Sequence, residues 1–126
     1  MNVVDSSAWI EYFTDGPNAC HFAKAIETTE TLIVPTLTLY EVFKRVYVKG
    51  GEASALEKVA HMLQGRVVEL SAALALTAAR LSVEENLSMA DAIIFASARA
   101  HDATLWTQDV HFKGKAKVEY RPARQR

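Results

Sequence analysis

Short apolar runs alternate with helical stretches along the whole chain, and that alternation most narrows what it can fold into. Asn2–Asp5, Thr31–Val34, Val67–Leu70 and Thr104–Trp106 read as brief buried strands, with Lys117–Tyr120 as a possible edge strand. Between them lie stretches with helical spacing. Ser6 and Ser7 are placed to cap a helix through Trp9–Phe13, and the Gly16-Pro17-Asn18 turn leads into another from about Ala19 to Thr28. Pro35 breaks the second strand, and Thr36 or Thr38 can cap the helix that carries Leu37, Tyr40, Glu41 and Phe43. Gly50-Gly51 ends it, and Glu52–Gln64 follows with Leu56, Val59 and Leu63 on the face expected to be buried. Ser71 caps a helix with Leu74, Ala78 and Leu81 in register. Ser88 starts one through about Ala100 that is apolar on nearly all sides and therefore central. Asp109–Phe112 reads as a turn or short helix. The pattern predicts a mostly parallel sheet of four to five strands with helices on both faces, residues 1–126 forming one domain.

Composition sets limits on function. With 126 residues, half of them hydrophobic, the chain can bury a real core and is not a disordered segment. Its apolar runs are too short or too interrupted to span a bilayer. The opening MNVVD has no basic region or long apolar segment of a secretory leader, and a lone Cys20 cannot make an internal disulfide. These features predict a cytoplasmic protein with no membrane partner. A formal net charge of −1 excludes a generally basic polyanion binder. The cations are local: Lys44, Arg45 and Lys49 follow Glu41, and Arg121, Arg124 and Arg126 form a tail. They are either solvated charges or contacts to phosphate or a partner beside an acidic pocket.

That acidic pocket is expected from Asp5, Glu41, Asp91 and Asp109. Each lies in or beside an apolar stretch, and none has a Lys or Arg within two positions. Open parallel sheets place ligands outside the carboxyl ends of their strands, where Asp5 and Asp109 fall and where early helical turns bring Glu41 and Asp91. Two unit charges about 4 Å apart repel by roughly 4 kcal/mol at an effective dielectric near 20. Several such pairs rival a whole domain's stability of about 5–15 kcal/mol. Protons or a divalent cation must therefore neutralise the four groups if they converge, and the cation is the sharper reading.

Each acid also has a plainer role open to it. Asp5 could assist a cap with Ser6, and Glu41 could pair with Arg45, worth only about 0.2–0.5 kcal/mol. Ser88-Met89-Ala90-Asp91 resembles a capping box with a shortened acid, and Asp109 suits a turn. Thr107 could orient a water, and Ser6 or Ser7 a water or phosphate oxygen. His21, His61, His101 and His111 show no ligand spacing and read as surface or turn residues. Trp9 and Trp106 read as core.

The segments V-V-D-S-S-A-W-I, T-L-Y-E-V, M-A-D-A-I-I-F-A-S-A and L-W-T-Q-D-V-H-F, in that order, resemble a PIN domain, and in particular a VapC-type toxin of prokaryotic toxin–antitoxin pairs. The resemblance covers essentially the whole length. It implies a three-layer α/β/α PIN-like fold and a metal-dependent endoribonuclease acting on RNA. The implied metal-binding and catalytic acids are Asp5, Glu41, Asp91 and Asp109, with Ser6 and Thr107 as polar supporters. Mg²⁺, with Mn²⁺ as a substitute, suits such oxygen donors. A cognate antitoxin and a homodimer are also implied, with the apolar helices at Leu37–Val48 and Leu56–Leu63 supplying the surfaces. Within the same resemblance, a nuclease of RNA processing or of DNA and an inactive binding module are the alternatives. All four acids being present argues against the inactive one. A phospho-receiver domain is disfavoured, because the acidic pair after the first strand, the Asp after the third and the Lys after the last are missing.

Overall fold

Successive side chains of a strand point to opposite faces, and here that period feeds two separate cores. The computed structural model describes residues 1–124, so Arg126 lies outside the described residues. Five strands, β1 (Asn2–Val4), β2 (Leu32–Pro35), β3 (Arg66–Val68), β4 (Thr104–Thr107) and β5 (Val118–Tyr120), pair in the order β3-β2-β1-β4-β5. Every pairing is parallel. The helices are α1 (Ser6–Phe13), α2 (Ala19–Ile26), α3 (Thr36–Met62), α4 (Ala72–Glu84) and α5 (Met89–Ala100).

Val3, Ile33 and Leu105 point into a core shared with Ala78 and Leu81 of α4 and Ile94 and Phe95 of α5. Val4, Leu32 and Val34 point the other way, against Trp9 of α1, Phe22 and Ile26 of α2, and Val42 and Met62 of α3. The result is the expected three-layer α/β/α arrangement. Fully burying each of these large apolar side chains contributes about 1.5–3 kcal/mol, so both layers hold the sheet firmly.

The caps follow the sequence in part. Ser71 Oγ accepts the Leu74 N–H at 3.1 Å and Ser88 Oγ accepts the Asp91 N–H at 3.3 Å, so α4 and α5 start as expected. By contrast, α1 begins at Ser6 with Asp5 in the capping position and no side-chain cap; Ser6 and Ser7 turn their hydroxyls to acids instead. In α3 Pro35 holds the capping position, and Thr38 Oγ1 donates back to the Pro35 carbonyl at 2.7 Å.

Gly51 interrupts α3 with φ +84° and ψ 177°, a conformation only glycine adopts without strain. The break falls where Gly50-Gly51 predicted it. It also sets the phase of the second half: Ala55 and Met62 are buried, while Leu56 and Leu63 are 53% and 52% exposed. The expected burial of those two leucines is thus corrected. Strand β3 is likewise shifted to Arg66–Val68, leaving Leu70 outside it and exposed. His21 and His61 are half-buried rather than freely solvated, for His21 packs on Phe22 and Trp106 and His61 among Trp9, Tyr12 and Phe13.

Candidate functional site

From β1 the chain crosses to β2 and β3 on one side of the sheet, and β4 and β5 lie on the other. The direction of winding reverses between β1 and β4, and ligands of open parallel sheets sit at that crevice, at the carboxyl ends of the strands. Asp5 immediately follows β1 and its N–H donates to the Trp106 carbonyl at 2.9 Å, so the crevice opens at its side chain. Thr107 closes β4 and Asp109 follows two residues later.

Asp5 is 4% exposed and Thr107 fully buried. The Asp5 carboxylate accepts hydrogen bonds from Ser7 Oγ at 2.8 Å and Thr107 Oγ1 at 2.9 Å. Thr107 Oγ1 also accepts the Asp109 N–H at 2.9 Å, and Ser7 Oγ accepts the Gln108 N–H at 3.1 Å. Two hydroxyls therefore lock one carboxylate and, through the same oxygens, the backbone leading to the next. Asp91 sits in the first turn of α5, where the helix amino end favours an anion, and its carboxylate faces Asp109. Glu41 lies in the second turn of α3 and accepts a hydrogen bond from Ser6 Oγ.

The electrostatics bind these groups together. Burial pushes the Asp5 carboxyl above its ordinary value of 3.8; the two hydroxyl bonds pull it down, and Glu41 and Asp109 push it up again. Asp91 is pushed up to about 6 by burial first, then by the charges of Asp109 and Asp5. Like charges converging in a partly dry site produce this behaviour. Among the described residues, no Lys or Arg pairs with Asp5, Glu41, Asp91 or Asp109.

All four sequence-predicted acids thus lie around the carboxyl edge of β1 and β4, with Thr107 and Ser6 bonded to them. The tightest group, however, is Asp91, Asp109 and His111, each offering a ligand atom within 4.8 Å of the others. Sequence reasoning missed His111, whose Nδ1 lies 3.0 Å from Asp109 and 3.5 Å from Asp91. The signal was local: a histidine two residues beyond the acid, in the turn Val110–Phe112. Ser7 is the hydroxyl on Asp5 and Ser6 the one on Glu41, because the capping position of α1 falls on Asp5, one residue before the expected caps. Two ligands of one ion with bonds of about 2.1 Å lie up to about 4.2 Å apart, and the separations of His111 Nδ1 from Asp109 and Asp91, 3.0 Å and 3.5 Å, fall inside that reach.

Beside Glu41 a groove of about 500 Å³ is lined by Ser6, Ile10, Tyr40, Lys44, Arg45 and Lys49 among others. It sets three cations next to the acidic crevice.

The PIN domain family model matches residues 3–118. The chain belongs to the PIN domain family. Among curated proteins no sequence matches this PIN domain. Solved structures do: a chain of a toxin–antitoxin complex from Klebsiella pneumoniae superposes with a TM-score of 0.80 at 22% identity, covering 94% of this chain and 96% of that one. The Mycobacterium tuberculosis toxin VapC20, described as cleaving the Sarcin-Ricin loop, gives 0.75 at 19% identity, covering 92% and 95%. A Pyrobaculum aerophilum protein gives 0.73 at 25% identity, covering 94% and 87%. These likenesses agree with the five-stranded parallel sheet of this PIN domain. No helix among the described residues is long and apolar enough to cross a membrane.

Proposed function

We propose that this PIN domain is a divalent-metal-dependent endoribonuclease that hydrolyses RNA phosphodiester bonds, and that it is the toxin of a type II toxin–antitoxin pair. The observation carrying the reading is the gathering of Asp5, Asp91 and Asp109 at one sheet edge, where burial and neighbouring carboxylates raise both Asp5 and Asp91, with no Lys or Arg among the described residues paired to them. Membership of a family whose members are generally nucleases supports the reaction class.

Asp5, Asp91 and Asp109 are the groups to hold Mg²⁺ or Mn²⁺, with Glu41 at the rim. A divalent cation there supplies Lewis-acid charge and water activation near neutral pH. The chain's own residues do the remainder. Ser7 and Thr107 hold Asp5 in one rotamer, so the carboxylate needs no reorganisation when it binds. Ser6 orients Glu41 toward the groove. Lys44, Arg45 and Lys49 take the phosphates that flank the scissile one and set the strand's register.

The toxin role draws support from the toxin–antitoxin complex that this fold superposes on, which makes a cognate antitoxin the expected inhibitor. Tyr40, Tyr47, Val48 and Leu56 stay exposed on α3, and Leu63 just beyond its end, apolar area suited to the antitoxin and to a homodimer. We assign the protein to the cytoplasm with such a partner. Labelled RNA and DNA incubated with Mg²⁺ or Mn²⁺ test the function: RNA is cut, chelator stops it, and Asp5→Asn is inert although folded. Full cleavage by folded Asp5→Asn, or cleavage in chelator, contradicts the assignment.

A further inference from the structure

Among the described residues, the group that gathers Asp91 and Asp109 also holds a donor that is not an oxygen. His111 is largely exposed, with 67% of its side chain open to solvent, yet its Nδ1 is turned inward, 3.0 Å from Asp109 Oδ1 and 3.5 Å from Asp91 Oδ2. A solvated imidazole has no need of that orientation. Its backbone holds it there: the His111 N–H donates to Asp109 Oδ1 at 2.9 Å, which fixes the turn. The next residue, Phe112, is fully buried and packs on Phe95 with ring centroids 5.6 Å apart. Phe95 lies one helical turn beyond Asp91 on α5, so the anchor for the histidine and the element carrying the acid are one rigid unit.

The geometry points to His111 as a nitrogen ligand that tunes which ion the site takes, Mn²⁺ or a later first-row cation in preference to Mg²⁺. The inference rests on the metal-dependent reading above. Mg²⁺ demands near-ideal octahedral oxygen coordination at about 2.0–2.1 Å and keeps most of its waters. Imidazole nitrogen favours transition cations, with affinity rising from Mn²⁺ towards Ni²⁺ and Cu²⁺. The aspartates alone would take either ion; an imidazole beside them adds affinity only for the softer one.

Electron spin-echo spectroscopy of the full chain loaded with Mn²⁺ tests this directly, since a coordinated imidazole imprints ¹⁴N modulation on the manganese signal. The modulation is expected in the wild type and absent from His111→Ala and His111→Gln, checked as folded by circular dichroism. Calorimetry should show Mn²⁺ affinity falling about tenfold in both variants while Mg²⁺ affinity stays unchanged. Bound Mn²⁺ without nitrogen modulation in the wild type, or an unaltered Mn²⁺ to Mg²⁺ preference in the variants, overturns the role of His111 and leaves the metal site standing. No binding of either ion to the wild type overturns both.

Discussion

Strand β4 carries an acid near each end, and the protein treats the two ends in opposite ways. Before the strand, Asp102 meets Lys117 Nζ at 2.6 Å, and that ammonium holds its carboxyl below the ordinary 3.8. After the strand, Asp109 joins Asp5 and Asp91, no Lys or Arg among the described residues pairs with them, and Asp5 and Asp91 are pushed up. The cation beside Asp102 comes from the residue that precedes β5, so the fold has the means to neutralise an acid where it packs strands together. At the carboxyl edge it does not do so. On the proposed function, acids kept without a Lys or Arg at the winding reversal form the working end of the sheet, and the acid paired with Lys117 belongs to the structural end.

The largest break in that comparison is in turnover. Asp91→Asn should lower RNA cleavage by more than about a hundredfold, whereas Asp102→Asn leaves it unchanged; initial rates on labelled RNA distinguish them. Next comes stability. A cation at a hundredfold excess over its dissociation constant adds about 2.7 kcal/mol, raising the melting temperature by on the order of 10 °C. The rise should vanish in Asp91→Asn and persist in Asp102→Asn, as read by thermal denaturation with and without chelator. Thr107→Val, which removes a hydroxyl from Asp5, should slow cleavage about tenfold and leave the fold intact by circular dichroism.

A smaller effect has opposite signs at the two ends. Asp91 is raised from 3.8 to about 6 in the folded protein, so between these values the native state binds more protons than the unfolded one. Metal-free protein therefore gains stability from this group as pH falls from neutrality through 6 towards 3.8, and Asp5 acts in the same direction. Asp102 is lowered, so its contribution is present above 3.8 and is lost as pH drops through its folded value. Denaturant titrations from pH 8 to 4 in chelator should show the first trend, and Asp91→Asn should flatten it. Saturating Mn²⁺ should reverse it, because the ion needs the ionised acids.

The parts of the molecule legible from residue types are those governed by periodicity. Val3 and Val4, or Leu105 and Trp106, must face opposite ways in any strand, so the two cores and the layered arrangement followed. The acids were legible for a related reason: an unpaired Asp or Glu beside apolar runs stands out against its surroundings. What escaped notice depends on how elements begin and pack. Ser6 and Ser7 have the chemistry of caps, but Asp5 takes that place and both hydroxyls serve neighbouring carboxylates. Leu56 and Leu63 have helical spacing with Val59, yet the break at Gly51 resets which side of the helix meets the core. His111 gave little sign, because its relation to Asp91 exists only once the Phe112 anchor brings the turn against α5.

Calorimetric titration of Mn²⁺ into metal-free protein at pH 6, in two buffers of different ionisation heat, tests the central claim most directly. Gathered acids that await a cation predict saturable binding with proton release, since Asp91 is about half protonated there, and loss of both in Asp91→Asn. Heats that show no binding, or identical binding with no released protons in wild type and variant, would contradict it.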